Sequence, residues 1–376
     1  MPLRSPYYSV KIEGVDVSTW ISSVSVTEDD KQADSVQISI PDPRLIYADA
    51  IFEGSIAEVD IGYAEANQHA LMIRATLTKV ELSYPDGGVP TLTLQGEDKS
   101  IEMGYEEKNR VRHGKTVGAI VHAVADPYGF PGGVKVELNP DPRIGAGRVH
   151  QDGKTDLAFL QELAQRYFAK CFVELDEQGQ EILYFIPERR VVRLRRPADL
   201  HLQYRMGPAS NSINLINFSP KFETSYVDRQ RQIADLDTNG RRVRSNNQPP
   251  SEVVVWRLDE TRLGVASDAD HKRIKQLYDR GSAKKRQQQA ELERPRPGVG
   301  RVVHDQGDVD AQSLSLESRK LGMTASGTIA GSIWMRAKSN VLIDGASSRF
   351  NGRWYVNSVT HKVDGSGYKT DFKCLR

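Results

Sequence analysis

The sequence of 376 residues contains only two cysteines, Cys171 and Cys374. Two thiols so far apart make neither a metal-ligand spacing nor a disulfide framework, and they read as buried small hydrophobes. An excess of one charge is missing as well, since 51 Lys and Arg stand against 50 Asp and Glu. The chain as a whole therefore has no net pull on nucleic acid or on an anionic membrane. No stretch approaches the ~20 consecutive apolar residues that span a bilayer. The stretch Met1 to Val10 is polar and aromatic, without the basic start and apolar run of a secretory leader. The expectation is a chain made and assembled in a cytoplasm, with no membrane insertion of its own.

Signatures of chemistry are missing too. Gly-Lys-Thr occurs at Gly114-Lys115-Thr116 and at Gly153-Lys154-Thr155. A phosphate-cradling loop also needs a glycine five residues before the first Gly of that triplet, and those positions hold Asn109 and Arg148. Each triplet reads instead as a turn leading into a Thr-capped helix. The 8 histidines are scattered, with no His-Glu-x-x-His and no neighbouring Cys pair, and no Gly-x-Ser-x-Gly elbow surrounds a serine. The acidic pairs Asp29-Asp30 and Glu106-Glu107 are adjacent. Neighbours in a strand or helix point in different directions, so adjacency does not bring two carboxylates onto one substrate. They read as solvated loop charges. His361 lies in strand-like alternation and reads as a packed or hydrogen-bonded residue. No catalytic, cofactor-binding or metal-ligating residue is assigned, and the expectation is a protein that is not an enzyme.

What is present is strand alternation at both ends. A chain this long exceeds one ordinary core and implies two or three units. Val36, Ile38 and Ile40 alternate with polar residues until Pro41-Asp42-Pro43, and Ala57, Val59 and Ile61 alternate again. Leu71, Ile73, Ala75 and Leu77 share one parity, then Val80 and Leu82 take the other. One extra residue of this kind marks a β-bulge. Asp86-Gly87-Gly88 signals a turn before a return strand at Leu92 and Leu94. The period changes after Glu107. Thr116 caps a predicted helix with Val117, Ile120, Val121 and Val124 on one face, and Thr155 caps another with Leu157, Leu160, Leu163, Ala164 and Phe168. A hairpin follows, Phe172–Leu175 and Ile182–Ile186. Ile213 to Phe218 is strand-like again. Asp228–Ser251 is polar and reads as an extended arm, Val253–Trp256 as a short strand, and Asp268–Glu293 as a charged helix. Asp310–Leu321 reads as a helix leading into four strands near 327–335, 341–343, 354–363 and 368–374, with Asn351-Gly352 as a hairpin turn needing positive φ. The fold class is α+β, mainly β, with two antiparallel barrels: residues 1–105, an α+β section over 106–200, and 201–376 with a polar insertion at about 228–300.

Within the charged helix, Lys284-Lys285-Arg286 lies near Arg294 and Arg296. It lacks the interleaved aromatics of a single-strand stacking platform. It reads as a solvated helix face, with contact to an acidic partner or to passing DNA as its functional reading.

Several segments, in order, resemble the phage late control protein D family. They are Leu92–Ser100, Thr116–Ala125 followed by Tyr128-Gly129-Phe130, and Gln151–Ala164. The C-terminal run Arg349–Val356, Val359-Thr360-His361 and Gly367–Phe372 carries the strongest match. The resemblance spans nearly the whole chain and implies a structural baseplate hub of a contractile phage tail or a tail-like injection system. Such hubs are expected to be homotrimers of chains carrying two β-barrel tube domains. The resulting pseudo-sixfold ring joins the sixfold tail tube to a threefold spike and lines the DNA or cargo channel. Relatives in type VI secretion continue into a spike, whereas this sequence stops at Arg376, so a separate trimeric spike protein is the expected partner. The tail tube protein and other baseplate proteins are the further partners. DNA or cargo passes through the lumen without sequence-specific binding. The location implied is the virion tail baseplate, assembled in the host bacterial cytoplasm. Trp354 and Tyr355 point to opposite faces of their strand, one to the core and the other to a neighbouring subunit. Trp354, Tyr355, Phe372, Lys284, Lys285 and Arg286 are the candidate assembly residues. The alternatives are a tail-tip peptidoglycan hydrolase and a sixfold tube-initiator protein of the same machine.

Overall fold

The computed structural model describes residues 5–65, 68–112, 115–139, 141–144, 149–167, 169–187, 190–191, 200–204, 213–227, 231–232, 234–236, 242–244, 267–293, 296–297, 321–347 and 349–376. The N-terminal strands are β1 Pro6–Ile12, β2 Val15–Asp16, β3 Ser23–Asp29, β4 Ser35–Pro41, β5 Ile56–Tyr63, β6 Gln68–Ser83 and β7 Thr91–Glu97. They pair in the order β2-β1-β5-β6-β7-β4-β3. Period-two alternation puts one side of every one of these strands except the short β2 on a single apolar core, including Val10, Val26, Ile38, Val59, Ile73 and Leu94. The side of β1 away from β5 pairs with β2, and the chain then runs back beside it to the start of β3. There the Val17 N–H donates to the Val10 carbonyl at 2.9 Å, and the Tyr8 hydroxyl donates to the Ile21 carbonyl at 3.0 Å. The expected bulge is present, since the register of β6 against β7 shifts between Leu77 and Lys79. It lets the first half of β6 serve β5 and the second half serve β7.

The middle section comprises β8 Glu107–Arg112, α1 Val117–Ala125, β9 Val134–Val136, β10 Val149–Thr155, α2 Asp156–Arg166, β11 Ala169–Leu175 and β12 Glu181–Pro187. Thr116 and Thr155 cap the two helices as expected, each hydroxyl accepting from a backbone N–H three residues on at 3.2 Å. Buried Ile120, Val121, Val124, Leu160 and Leu163 pack over the β11-β12-β9 sheet. Phe159 is buried where the pattern favoured Leu157, which lies half-buried at the flank, and Phe168 falls outside the described residues. The buried Asp156 carboxylate accepts from Lys108 Nζ, the Tyr128 hydroxyl and Gln151 Nε2, each at 2.7 Å. Burial acts to raise its pKa, but these donors outweigh burial and hold it below the usual carboxylate value.

The C-terminal strands are β13 Leu200–Gln203, β14 Ile213–Val227, the short β15 Arg231–Gln232, β16 Ala234–Leu236, β17 Arg242–Arg244 and β18 Arg296–Pro297, then β19 Leu321–Ala330, β20 Ser339–Asp344, β21 Gly352–Asp364 and β22 Gly367–Leu375. Helix α3 spans Asp268–Glu293, the residues expected to be helical. Six strands close a barrel in the order β21-β20-β13-β14-β19-β22, with β22 returning to β21. It is not antiparallel throughout, because β13 runs parallel to both β14 and β20. Its interior holds Leu215, Ile329, Val341, Trp354, Val359 and Phe372. Gly352 opens β21 at φ +123°, the positive value expected of it. Leu321 begins β19 rather than ending a helix, and 310–320 lie outside the described residues, as do Val253–Trp256. Within the polar 228–251 segment the described residues form the short strands β15, β16 and β17.

One strand joins the N-terminal unit to the C-terminal barrel. Gly352–Val356 of β21 pairs with β20 inside the closed barrel. Ser358–Asp364 pairs with β3 of the N-terminal unit. The result is a continuous 13-stranded sheet, with Val363 and Tyr368 of the C-terminal strands buried in the N-terminal core.

Candidate functional site: a three-way junction and the surfaces around it

The loop between β19 and β20 brings all three sections together. Its last residues, Arg336-Ala337-Lys338, run between the N-terminal unit and the middle section. The Arg336 guanidinium bonds to Glu28 of β3, and the other Glu28 oxygen accepts from the Ala337 N–H at 3.0 Å. Lys338 is 1% exposed. Its Nζ reaches Asp34 at 3.3 Å and Glu174 of β11 at 3.1 Å, and sits 4.9 Å from the centre of the Phe172 ring. The backbone at Lys338 takes φ +61°, a conformation that disfavours side chains with a Cβ. The chain accepts that strain where it aims the ammonium inward.

Carboxylates from the N-terminal unit complete the junction. The buried Asp98 accepts from the Ser100 N–H and the Asp34 N–H, each at 2.7 Å, and its own N–H donates to the Asp34 carbonyl at 2.9 Å. Burial, and next the neighbouring Asp34 charge, push its pKa up to about 7. Asp30 is buried and pairs with Lys170 of β11 at 2.9 Å. The reading of Asp29-Asp30 as solvated loop charges therefore fails at Asp30, while Glu106 and Glu107 are exposed as expected. Adjacency in sequence said nothing about a lysine 140 residues away. Buried ion pairs of this kind contribute geometry more than net stability, but losing one partner is costly.

The candidate assembly residues separate into two groups. Trp354 is fully buried, its Nε1 donating to the Phe350 carbonyl at 3.0 Å and its ring meeting Phe218 edge-on. Phe372 is buried in the same barrel, beneath Gly327, where a Cβ would lie 2.5 Å from its ring. Tyr355 is half-buried on the opposite face from Trp354. Lys284 and Arg286 are exposed on α3, and the side chain of Lys285 lies outside the described residues. Trp354 and Phe372 thus share the barrel core, and the described α3 side chains Lys284 and Arg286 stand apart from it on an exposed helix face. His361 is buried, its Nδ1 2.8 Å from the Tyr368 hydroxyl, the hydrogen-bonded role expected. Both cysteines are buried, as expected. Among the described residues no cluster of His, Cys, Asp and Glu has a metal-binding arrangement.

Sequence reasoning missed Glu28, Asp34, Asp98, Glu174, Arg336 and Lys338. The one local signal was a pair of cations, Arg336 and Lys338, immediately after the apolar Ile333-Trp334-Met335. Their partners lie 304 and 164 residues away in the case of Lys338.

No protein-family model matches the chain, and no curated protein matches it in sequence. Solved structures do match along its length. The tail protein from Neisseria meningitidis MC58 aligns with a TM-score of 0.62 at 13% identity, covering 99% of this chain and 97% of its own. The 43 kDa tail protein of prophage MuSo2 from Shewanella oneidensis gives 0.61 at 14% identity, over 99% and 98%. The E. coli c3393 protein, a type VI secretion component described as similar to the T4 tail proteins gp27 and gp5, gives 0.54 at 11% identity over 97% and 76%. At such identities the shared property is the fold, and the chain has the fold of these phage tail proteins and of the type VI secretion component.

Proposed function

We propose that the chain is a structural, non-catalytic hub in the baseplate of a contractile phage tail or tail-like injection system. Three copies, each contributing two barrel units, would form a pseudo-sixfold ring. That ring would join a sixfold tail tube to a separate threefold spike, alongside other baseplate proteins, and line the channel for DNA or cargo. The observation that carries the reading is the fusion of a seven-stranded unit and a six-stranded barrel into one 13-stranded sheet through β21, in a fold shared with tail proteins. A load-bearing ring element must keep two barrels at a fixed relative position. A shared strand and a buried junction supply that rigidity, because packed, hydrogen-bonded elements move as one body. Closed rings also cover sheet edges that would otherwise invite aggregation.

The test is the solution mass of the purified chain, by light scattering or native mass spectrometry, alone and with a candidate spike. The expected result is three copies that take up a trimeric spike. Six copies would replace the hub with a tube initiator. A monomer that ignores the spike and clears cell walls would replace it with a hydrolase.

A further inference from the structure

Three loops, residues 13–22, 42–55 and 84–90, lie at one end of the N-terminal unit, because its strands alternate in direction. They hold together: the Asp42 N–H donates to the Pro90 carbonyl at 2.7 Å, the Glu13 N–H donates to the Ile56 carbonyl at 2.9 Å, and Trp20 lies 4.7 Å from Tyr47. Val15, Trp20, Ile46, Phe52, Tyr84 and Val89 sit in these loops and are 42% to 66% exposed. Apolar and aromatic side chains gathered on one surface mark an interaction site. Around them stand the exposed carboxylates of Glu13, Asp16, Asp49, Glu53 and Asp86, against the single exposed cation Arg44 in these loops. This end of the barrel is an apolar patch with an acidic border.

Helix α3 carries the converse pattern. Leu277 is 72% exposed and Ile274, three residues before it, is 38% exposed. Residues three, four and seven apart share a helix face, so Arg273, Arg280 and Lys284 surround Leu277, with the exposed Asp270 at the N-terminal edge of that face. All three are exposed, and Arg273 has only a long contact of 3.8 Å to Asp270 on its own helix. This face is an apolar centre whose border carries three cations and one carboxylate.

We infer that the loop-bearing end of the N-terminal unit receives the Leu277 face of α3 from a second copy of the chain. Both halves are exposed within one copy, so the pairing is made between copies. Each copy carries one of each, which makes the contact head-to-tail and allows a ring to close. The inference rests on the oligomeric hub reading and names the surface through which its copies meet.

Charge reversal in the full-length chain tests it. One variant combines Asp49→Lys, Glu53→Lys and Asp86→Lys; the other combines Arg273→Glu, Arg280→Glu and Lys284→Glu. Each alone is expected to weaken self-association at least about tenfold at low salt, and the two sets in one chain to restore it within about threefold. Thiol trapping gives a second readout, since both native cysteines are buried. Chains carrying only Leu277→Cys, mixed with chains carrying only Phe52→Cys, are expected to cross-link as pairs on mild oxidation. A monomeric parent chain, self-association indifferent to both reversals, or a disulfide formed within a single chain carrying both thiols would overturn the inference. So would helix reversal that abolishes binding to DNA or tail tube while self-association stands. A trimer indifferent to charge reversal that still takes up the spike removes this contact and leaves the hub reading. A charge-sensitive ring that ignores spike and tube does the opposite.

Discussion

Replacing Lys338 with methionine should separate the three sections of the chain. Methionine fills much of the same space and removes only the charge and its hydrogen bonds. Asp34 and Glu174, both buried, would then lose the ammonium that lies 3.3 and 3.1 Å from them. Removing one member of a buried ion pair costs about 3–5 kcal/mol, because the remaining charge stays desolvated. With Lys338 only 1% exposed, solvent screening does not discount that figure. At roughly 1–2 °C per kcal/mol for a chain of this length, the melting temperature would fall by about 3–10 °C. The loss falls on contacts between sections rather than within one core, so a single unfolding transition should divide into two. Calorimetry and urea unfolding followed by tryptophan fluorescence would measure both effects. Adding Asp34→Asn and Glu174→Gln should recover more than half of the loss, since the carboxylate charges that Lys338 offsets go with the cation. A Lys338→Met chain destabilised by less than about 1 kcal/mol, unfolding in one step, would refute the view that this junction couples the barrels.

Three further outcomes follow from the same geometry. The Asp98 carboxyl titrates at about 7 in the folded chain and near 4 when unfolded, so the folded state holds an extra proton between those values. Its contribution to stability is greatest below about pH 4 and is lost as pH rises through 7, and Asp98→Asn should flatten that part of a pH–stability profile. Burial, then the Asp98 charge, push the Cys171 thiol up to about 12, and burial also raises that of Cys374. Both thiols should therefore resist a thiol reagent at pH 8 in the native chain and react on unfolding, so prompt labelling of the native protein would contradict the packing. Trp354→Ala should cost about 3–5 kcal/mol as a core truncation, whereas Tyr355→Ala should cost no more than about 1 kcal/mol and disturb assembly if its face meets a neighbour; equal effects in a melting comparison would count against this division.

Periodicity made the local elements readable. The bulge after Leu77, the caps at Thr116 and Thr155, the hairpin β11–β12 and the extent of α3 each follow from neighbours within a few residues. So did the burial of both cysteines and the local bonding of His361. The parallel setting of β13 did not follow, because four residues of alternation carry no direction. Nor did the strand at Leu321, which pairs there with Val227 of β14, 94 positions earlier.

The sequence alone determined where helices α1, α2 and α3 and most of the described strands lie, that the ends are β-rich and the middle mixed, and that no compact catalytic motif is present. These properties depend on side-chain alternation and on turn chemistry, both short in range. Only the tertiary structure decided that β21 serves the C-terminal barrel and the N-terminal unit at once, that Lys338 joins three sections, and that Asp30 is buried rather than solvated. Each of these depends on which distant charges and edges meet, and the energy of a charge is set by the solvent and partners around it, not by its neighbours in the chain.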